Sequence, residues 1–132
     1  MGKIHIWIGT TTKSEEEYLN YFKLDYSTAG DFDDPEYRLC PFCKDIGEMW
    51  YDEDMIGIIP VFPAIEPVAA LLQFTPMTKD GIVKALHACN TSGVVEGNAI
   101  FYYTDSALVT LEPFEKLYND LQYIGCYESL LN

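Results

Sequence analysis

The clearest chemical pattern in the chain is a pair of cysteines three residues apart, Cys40-Pro41-Phe42-Cys43. Thiol–disulfide enzymes place such a pair at a helix N-terminus, where the first thiol becomes more acidic and the second resolves the mixed disulfide. Two features count against that chemistry here. The preceding carboxylates of Asp31, Asp33 and Asp34 raise a nearby thiol pKa, and no βαβ unit surrounds the pair. A thiol–disulfide redox protein using Cys40 and Cys43 is therefore kept as the alternative hypothesis.

The remaining metal-binding residue types have the wrong spacing for a metal site. A structural zinc ion needs four ligands, and the other Cys/His cluster is His87-Ala88-Cys89. On a helix His87 and Cys89 point about 200° apart, so they cannot face one ion. Neither acidic cluster has the spacing of a calcium-binding EF-hand loop. We expect no metal ion, no cofactor and no catalytic residue, since the motifs of hydrolases, zinc proteases and nucleotide-binding loops are also missing from the sequence.

A different kind of site is indicated at residues 50–54, where large aromatic residues stand beside carboxylates. Aromatic anchors ringed by charged residues are typical of the energetically dominant part of a protein interface. A second acidic cluster lies at residues 31–34. The candidate binding residues are Trp50, Tyr51, Asp52, Glu53, Asp54, Asp31, Asp33 and Asp34.

The net charge indicates which class of partner the chain binds. The 132 residues include 8 Lys and Arg against 21 Asp and Glu, a formal net charge of −13. Nucleic acids and anionic membranes attract basic surfaces, so this chain is expected to bind neither. A basic protein partner fits best, and many nucleases are basic because they hold nucleic acid.

The chain is expected to act in the cytoplasm. No stretch approaches the roughly 18 consecutive apolar residues of a membrane helix, and the N-terminal residues do not form a signal peptide. The four cysteines are then expected to be reduced thiols, or to form a metal or redox site, rather than structural disulfides.

The first secondary-structure element that the sequence predicts is a strand. Alternation over Lys3–Ile8 predicts a strand whose isoleucines form one buried face. Ser14 with Glu17 predicts a helix start, with Tyr18, Leu19 and Phe22 on its apolar stripe. Residues 25–38 are predicted to be a loop. Cys40 is expected to cap a helix that ends near Gly47.

The second half of the chain mixes strands and helices without a regular βα repeat. We predict strands over residues 55–60, 99–104 and 121–127, and helices over residues 68–74 and 78–92. Residues 114–119 are expected to form one or two helical turns. The fold class is α+β, with helices packed on a mostly antiparallel sheet, in a single domain spanning residues 1–132.

Three segments of the chain resemble the bacterial immunity protein family twenty-two. They are IWIG at Ile6–Gly9, DIG at Asp45–Gly47 followed by WYDEDMIG at Trp50–Gly57, and YIGCYE at Tyr123–Glu128. The resemblance implies an α+β fold and a protein that binds and neutralises a toxin domain, with no enzymatic activity. It places Trp7, Gly9, Asp45, Gly47, Tyr51, Asp52 and Asp54 in the family's motifs. Trp7 and the two glycines are expected to serve the fold, and Tyr51, Asp52 and Asp54 to serve the interface.

Overall fold

The computed structural model describes residues 2–23, 40–47, 51–104 and 116–131. In chain order the elements are β1 (Lys3–Gly9), α1 (Glu15–Asn20), α2 (Pro41–Ile46), β2 (Ile56–Ile58), β3 (Glu66–Pro67), α3 (Val68–Leu72), α4 (Lys79–Thr91), β4 (Glu96–Gly97), β5 (Ala99–Tyr103), β6 (Leu117–Tyr118) and β7 (Leu121–Glu128). Strands form a sheet in the order β2-β5-β1-β7-β6, and β3 pairs with β4 in a small second sheet. The pairs are antiparallel, so the predicted α+β class is confirmed.

The central strand β1 is buried on both faces. Ile4, Ile6 and Ile8 pack against α3 and α4, whereas Trp7 on the opposite face packs against α1 and α2. The prediction that β1 has one buried face is wrong, because His5 and Trp7 are as inaccessible as the isoleucines. A helical layer covers each face of the sheet, and the aromatic ring of Trp7 packs against such a layer as readily as an aliphatic side chain does.

The predicted helix boundaries are confirmed where a side chain caps the helix. The Ser14 hydroxyl accepts from the Glu17 N–H, and Glu17 completes the capping box. At the start of α4 the Thr78 hydroxyl accepts from the Gly81 N–H. Helix α2 ends at Ile46, and the φ of +75° at its C-cap, Gly47, is the left-handed conformation that glycine adopts without strain. On α1, however, Leu19 is exposed rather than part of the apolar stripe.

Three predicted elements differ from the structure. Strand β2 ends at Ile58, two residues before Pro60, which cannot donate to a ladder. Helix α3 ends at Leu72, and the short strands β3 and β4 were not predicted. The predicted helical turns over residues 114–119 are wrong in the described part, because Leu117–Tyr118 is strand β6. Residues 114–115 and the predicted loop 25–38 lie outside the described residues.

The β6–β7 connection explains that last error. Asn119 and Asp120 have φ values of 54° and 72°, as a two-residue hairpin turn of type I′ requires. Side chains hold the turn in place: the Asn119 Nδ2 donates to the Tyr18 carbonyl (3.0 Å), and the Thr11 hydroxyl donates to Asp120 Oδ2 (2.8 Å). These partners are about a hundred residues away in sequence, so the hairpin depends on the assembled sheet.

Close backbone packing at Gly97 gives the first prediction. A Cβ atom there would lie 2.2 Å from the Gly9 carbonyl oxygen, which is backbone and cannot swing away. We expect Gly97→Ala to lower the free energy of unfolding by about 1–3 kcal/mol, the usual cost of overpacking. Urea denaturation followed by circular dichroism measures it.

The matched control is Gly47→Ala, where nothing lies within 4 Å of the added Cβ and only the left-handed backbone is strained. That change is expected to cost about 1 kcal/mol. Equal stability of Gly97→Ala and the unaltered protein would contradict the contact.

Candidate functional site

Asp52, Glu53 and Asp54 form a tight turn directly before strand β2, called here the acidic turn. The Met55 N–H donates to the Asp52 carbonyl oxygen (2.9 Å), and the Asp54 N–H donates to Asp52 Oδ1 (2.9 Å). The first bond closes the turn through its backbone, and the second uses the Asp52 carboxylate as an acceptor, as Asp does in turns. Glu53 and Asp54 are exposed and Asp52 is half-buried, so the turn presents closely spaced carboxylates to solvent.

The acidic turn is fixed to the sheet and to the helical layer by two tyrosines. The Tyr103 hydroxyl on β5 accepts from the Asp52 N–H at 2.9 Å. Tyr51 is only 2% exposed; its hydroxyl donates to the Phe22 carbonyl, and its ring packs edge-on against Phe42 at 5.1 Å between centroids. The sequence predicted Tyr51 as an interface residue, and the structure instead places its ring in the core. Burial raises the pKa of its phenol, and the nearby Cys40 and Cys43 thiols raise it further.

No counter-ion neutralises the acidic turn within the described ranges. There, the salt bridge that forms joins Lys116 Nζ to Asp45 Oδ1 at 3.7 Å. Asp45, a motif position, also accepts a hydrogen bond from the Tyr21 hydroxyl at 2.5 Å. Asp45 therefore links α2 to α1 and to the segment before β6.

The structure does not describe every predicted interface residue. Trp50, Asp31, Asp33 and Asp34 lie outside the described residues. Tyr103 was missed by the sequence analysis as the residue that holds the turn. No local signal marks Tyr103, because 51 residues separate it from Asp52.

The two cysteines of the motif face each other at the start of α2. Cys40 is the helix N-cap: its Sγ accepts from the Cys43 N–H at 3.2 Å, and the two sulfurs are 3.0 Å apart. Hydrogen bonding from the Cys43 thiol lowers the pKa of Cys40 from 9.0 to about 7, against the opposing effect of burial. The same shared hydrogen bond, together with burial, raises the pKa of Cys43.

Burial separates this pair from the substrates of a thiol–disulfide enzyme. Cys40 is 3% exposed and Cys43 is fully buried among the aromatic rings of the α1–α2 layer. A protein disulfide cannot reach sulfurs in that position without opening the layer. The spacing of the pair matches its structural use, since an N-cap side chain bonds to the N–H three residues on.

The other candidate ligands are spread apart. On α4, Cys89 is buried and His87 is exposed, as the helical spacing predicted. His5 Nδ1 lies 2.7 Å from the Tyr123 hydroxyl. Within the described ranges, no three His, Cys, Asp or Glu side chains lie close enough together to hold a metal ion. In the same part of the chain, no helix is long and apolar enough to cross a bilayer.

Helices on both faces of an antiparallel sheet, with the acidic turn directly before one edge strand, define a small α+β protein. The family model for Immunity protein 22 matches residues 4–128, and the chain belongs to this family. No curated protein and no solved structure matches it. The resemblance in the sequence is thereby confirmed. Family membership gives the chain the role of an immunity protein with a cognate toxin as its partner, and it gives no support to the thiol–disulfide alternative.

Two buried tyrosines differ in whether their hydroxyl groups are hydrogen-bonded, which separates the bond that anchors the acidic turn from core packing alone. The Tyr51 hydroxyl is hydrogen-bonded, whereas the Tyr18 hydroxyl is buried with no partner among the described residues. We expect Tyr51→Phe to lower the free energy of unfolding by about 1 kcal/mol. Tyr18→Phe, the matched control, is expected to leave it unchanged or raise it, since it removes an unsatisfied polar atom. Chemical denaturation of both variants checks this, and an equal loss in both would contradict the assigned bonds.

The cysteine pair gives a pH prediction. Because the folded pKa of Cys40 lies below that of an ordinary thiol, the Cys40 thiolate stabilises the fold at pH values above the ordinary pKa. That contribution is lost as the pH falls through about 7. The ultraviolet absorbance of the thiolate is expected to titrate with a midpoint near 7 in the unaltered protein.

Cys40→Ser keeps a capping oxygen and is expected to remove this titration and the matching pH dependence of stability. Cys89→Ala serves as the control, because burial raises the pKa of Cys89 to about 11. An unaltered absorbance midpoint in Cys40→Ser would show that another thiol titrates near neutral pH.

Proposed function

We propose that this immunity protein neutralises a basic toxin domain, a nuclease being the class that fits best, and that the acidic turn is part of the surface that binds it. The observation that carries the proposal is the turn itself: exposed carboxylates on a rigid base, with no salt bridge to them from the described residues. Charges held in position bind a complementary surface without the entropic cost of ordering a flexible loop.

The net charge extends this argument beyond the turn. With a formal charge of −13, the protein attracts a cationic domain from a distance and accelerates their encounter. Nucleases hold phosphates with Lys and Arg, so an acidic protein that binds those residues occupies the place of the nucleic acid. Family membership implies a toxin as the partner, and the net charge of this protein indicates that the toxin is basic.

We place the encounter in the cytoplasm. The four cysteines are free thiols, which is the state that a reducing cytosol maintains. The protein then acts as a stoichiometric inhibitor, with no bond made or broken. The proposal rests on three of the predicted interface residues, Asp52, Glu53 and Asp54. The further candidates are Trp50, Asp31, Asp33 and Asp34.

Neutralising the turn tests the proposed surface. The variant Asp52→Asn, Glu53→Gln, Asp54→Asn keeps the Asp52 Oδ1 acceptor and changes the net charge from −13 to −10. As the toxin we take the domain encoded by a neighbouring reading frame that kills a sensitive host lacking this protein. We expect its association with the variant to slow by about tenfold, with a weaker salt dependence. Stopped-flow kinetics at two salt concentrations, alongside growth protection in cells that express the toxin, measures both effects.

The matched control removes three exposed carboxylates elsewhere, by Asp80→Asn, Glu96→Gln and Glu128→Gln, and also has a charge of −10. We expect less than about a twofold change in its rate. Equal slowing in both variants would assign the effect to net charge rather than to the turn. If the turn variant associates and protects like the unaltered protein, the proposed surface is wrong while the immunity role stands.

A further inference from the structure

Strand β2 forms one edge of the five-stranded sheet, and its hydrogen-bond register shows which backbone groups point outward. Ile56 lies opposite Tyr103, and the adjacent Thr104 N–H donates to the Met55 carbonyl oxygen at 2.9 Å. Hydrogen-bonded and non-hydrogen-bonded pairs alternate along an antiparallel ladder. Gly57 therefore bonds inward to β5, whereas the N–H and C=O groups of Ile56 and Ile58 point away from the sheet.

This outward row is open within the part of the chain that the structure describes. There, β2 pairs with β5 alone and no strand lies on its other side. Pro60 ends the row, because it occupies the next outward position and has no N–H to donate. The open groups thus lie between the acidic turn and Pro60, a length suited to a segment of only a few residues.

The acidic turn is held at one end of this row. Met55, bonded to Thr104, connects the turn directly to β2, and the Asp52 N–H is bonded to the Tyr103 hydroxyl. Ile56 and Ile58 are half-buried, with their side chains against the aromatic core on one face. An extended segment lying along β2 would meet backbone partners, a partly exposed apolar face and, at one end, three carboxylates.

We propose that β2 receives an extended segment of the cognate toxin as a sixth strand of the sheet. This inference rests on the proposed function and deepens it by naming the binding mode. The segment carries Lys or Arg at the end that meets the acidic turn, and an apolar side chain beside Ile56 and Ile58. Backbone bonds to Ile56 and Ile58 supply the pairing, and the charged end sets the register.

Charge selects this occupant over a second copy of the chain. Two copies would bring together formal charges of −13 each, and their repulsion opposes edge-to-edge pairing. A basic segment gains from the same field. Pairing through β2 by a second copy is therefore an outcome that the test must detect rather than the one we expect.

Residue-resolved amide hydrogen exchange tests the proposal on the unaltered protein, free and mixed with the toxin domain identified by its lethality to a sensitive host lacking this protein. We expect the Ile56 and Ile58 amides to exchange at least about tenfold more slowly in the complex. The Gly57 amide, already bonded within the sheet, is the internal control and is expected to change little.

Each other outcome overturns the proposal in a distinguishable way. A complex that forms without slowing Ile56 and Ile58 excludes strand addition and leaves the immunity role and the acidic turn intact. No complex at all removes the proposed function together with the strand addition. Slow exchange of both amides in the free protein, relieved on dilution, would assign the edge to a second copy.

A pair of variants separates the backbone donor from the side chain. Ile58→Pro shortens the side chain and removes the outward N–H, and Ile58→Ala also shortens the side chain but keeps that N–H. We expect Ile58→Pro to bind about tenfold more weakly than Ile58→Ala, the effect of one lost backbone hydrogen bond. Circular dichroism verifies that both fold, and equal affinities would contradict the proposed bond.

Discussion

Burial of β1 on both faces is the constraint on which the rest of the structure depends. The ring of Trp7 stacks on Phe101 at 4.7 Å between centroids, and the helices α1 and α2 close over that face. On the other face Ile4 and Ile6 hold α3 and α4. A strand between two apolar layers has no side left for solvent, so both helical layers and the neighbouring strands are positioned by contact with it.

The position of the acidic turn is set by the packing of the aromatic side chains beneath it. Tyr51 packs on Phe42 of α2 and on Tyr103 of β5, and the three residues that follow Tyr51 are the carboxylates. Charged groups on an apolar, close-packed base cannot relax inward, because burying an unpaired carboxylate is costly. The same core that stabilises the fold therefore keeps the acidic turn at the surface and next to the β2 edge.

The cysteine pair shows how one spacing serves two kinds of chemistry. A thiol–disulfide enzyme and a helix N-cap both require a first residue and a partner three positions later, so Cys40 and Cys43 satisfy either pattern in the sequence. The packed environment distinguishes them. The pair is enclosed by the α1–α2 layer, where the Cys40 sulfur accepts a backbone hydrogen bond as a serine oxygen would.

The sequence alone determined the α+β class, the family and the helix starts at Ser14, Cys40 and Thr78, because a cap bonds within three residues of itself. It also identified the carboxylates of the acidic turn as candidate binding residues. Only the tertiary structure decided that Tyr51 lies in the core, that Asn119 begins a hairpin turn rather than continuing a helix, and that β2 is an edge. Each of these depends on partners dozens of residues away, whose approach is set by packing on β1 and by no local pattern.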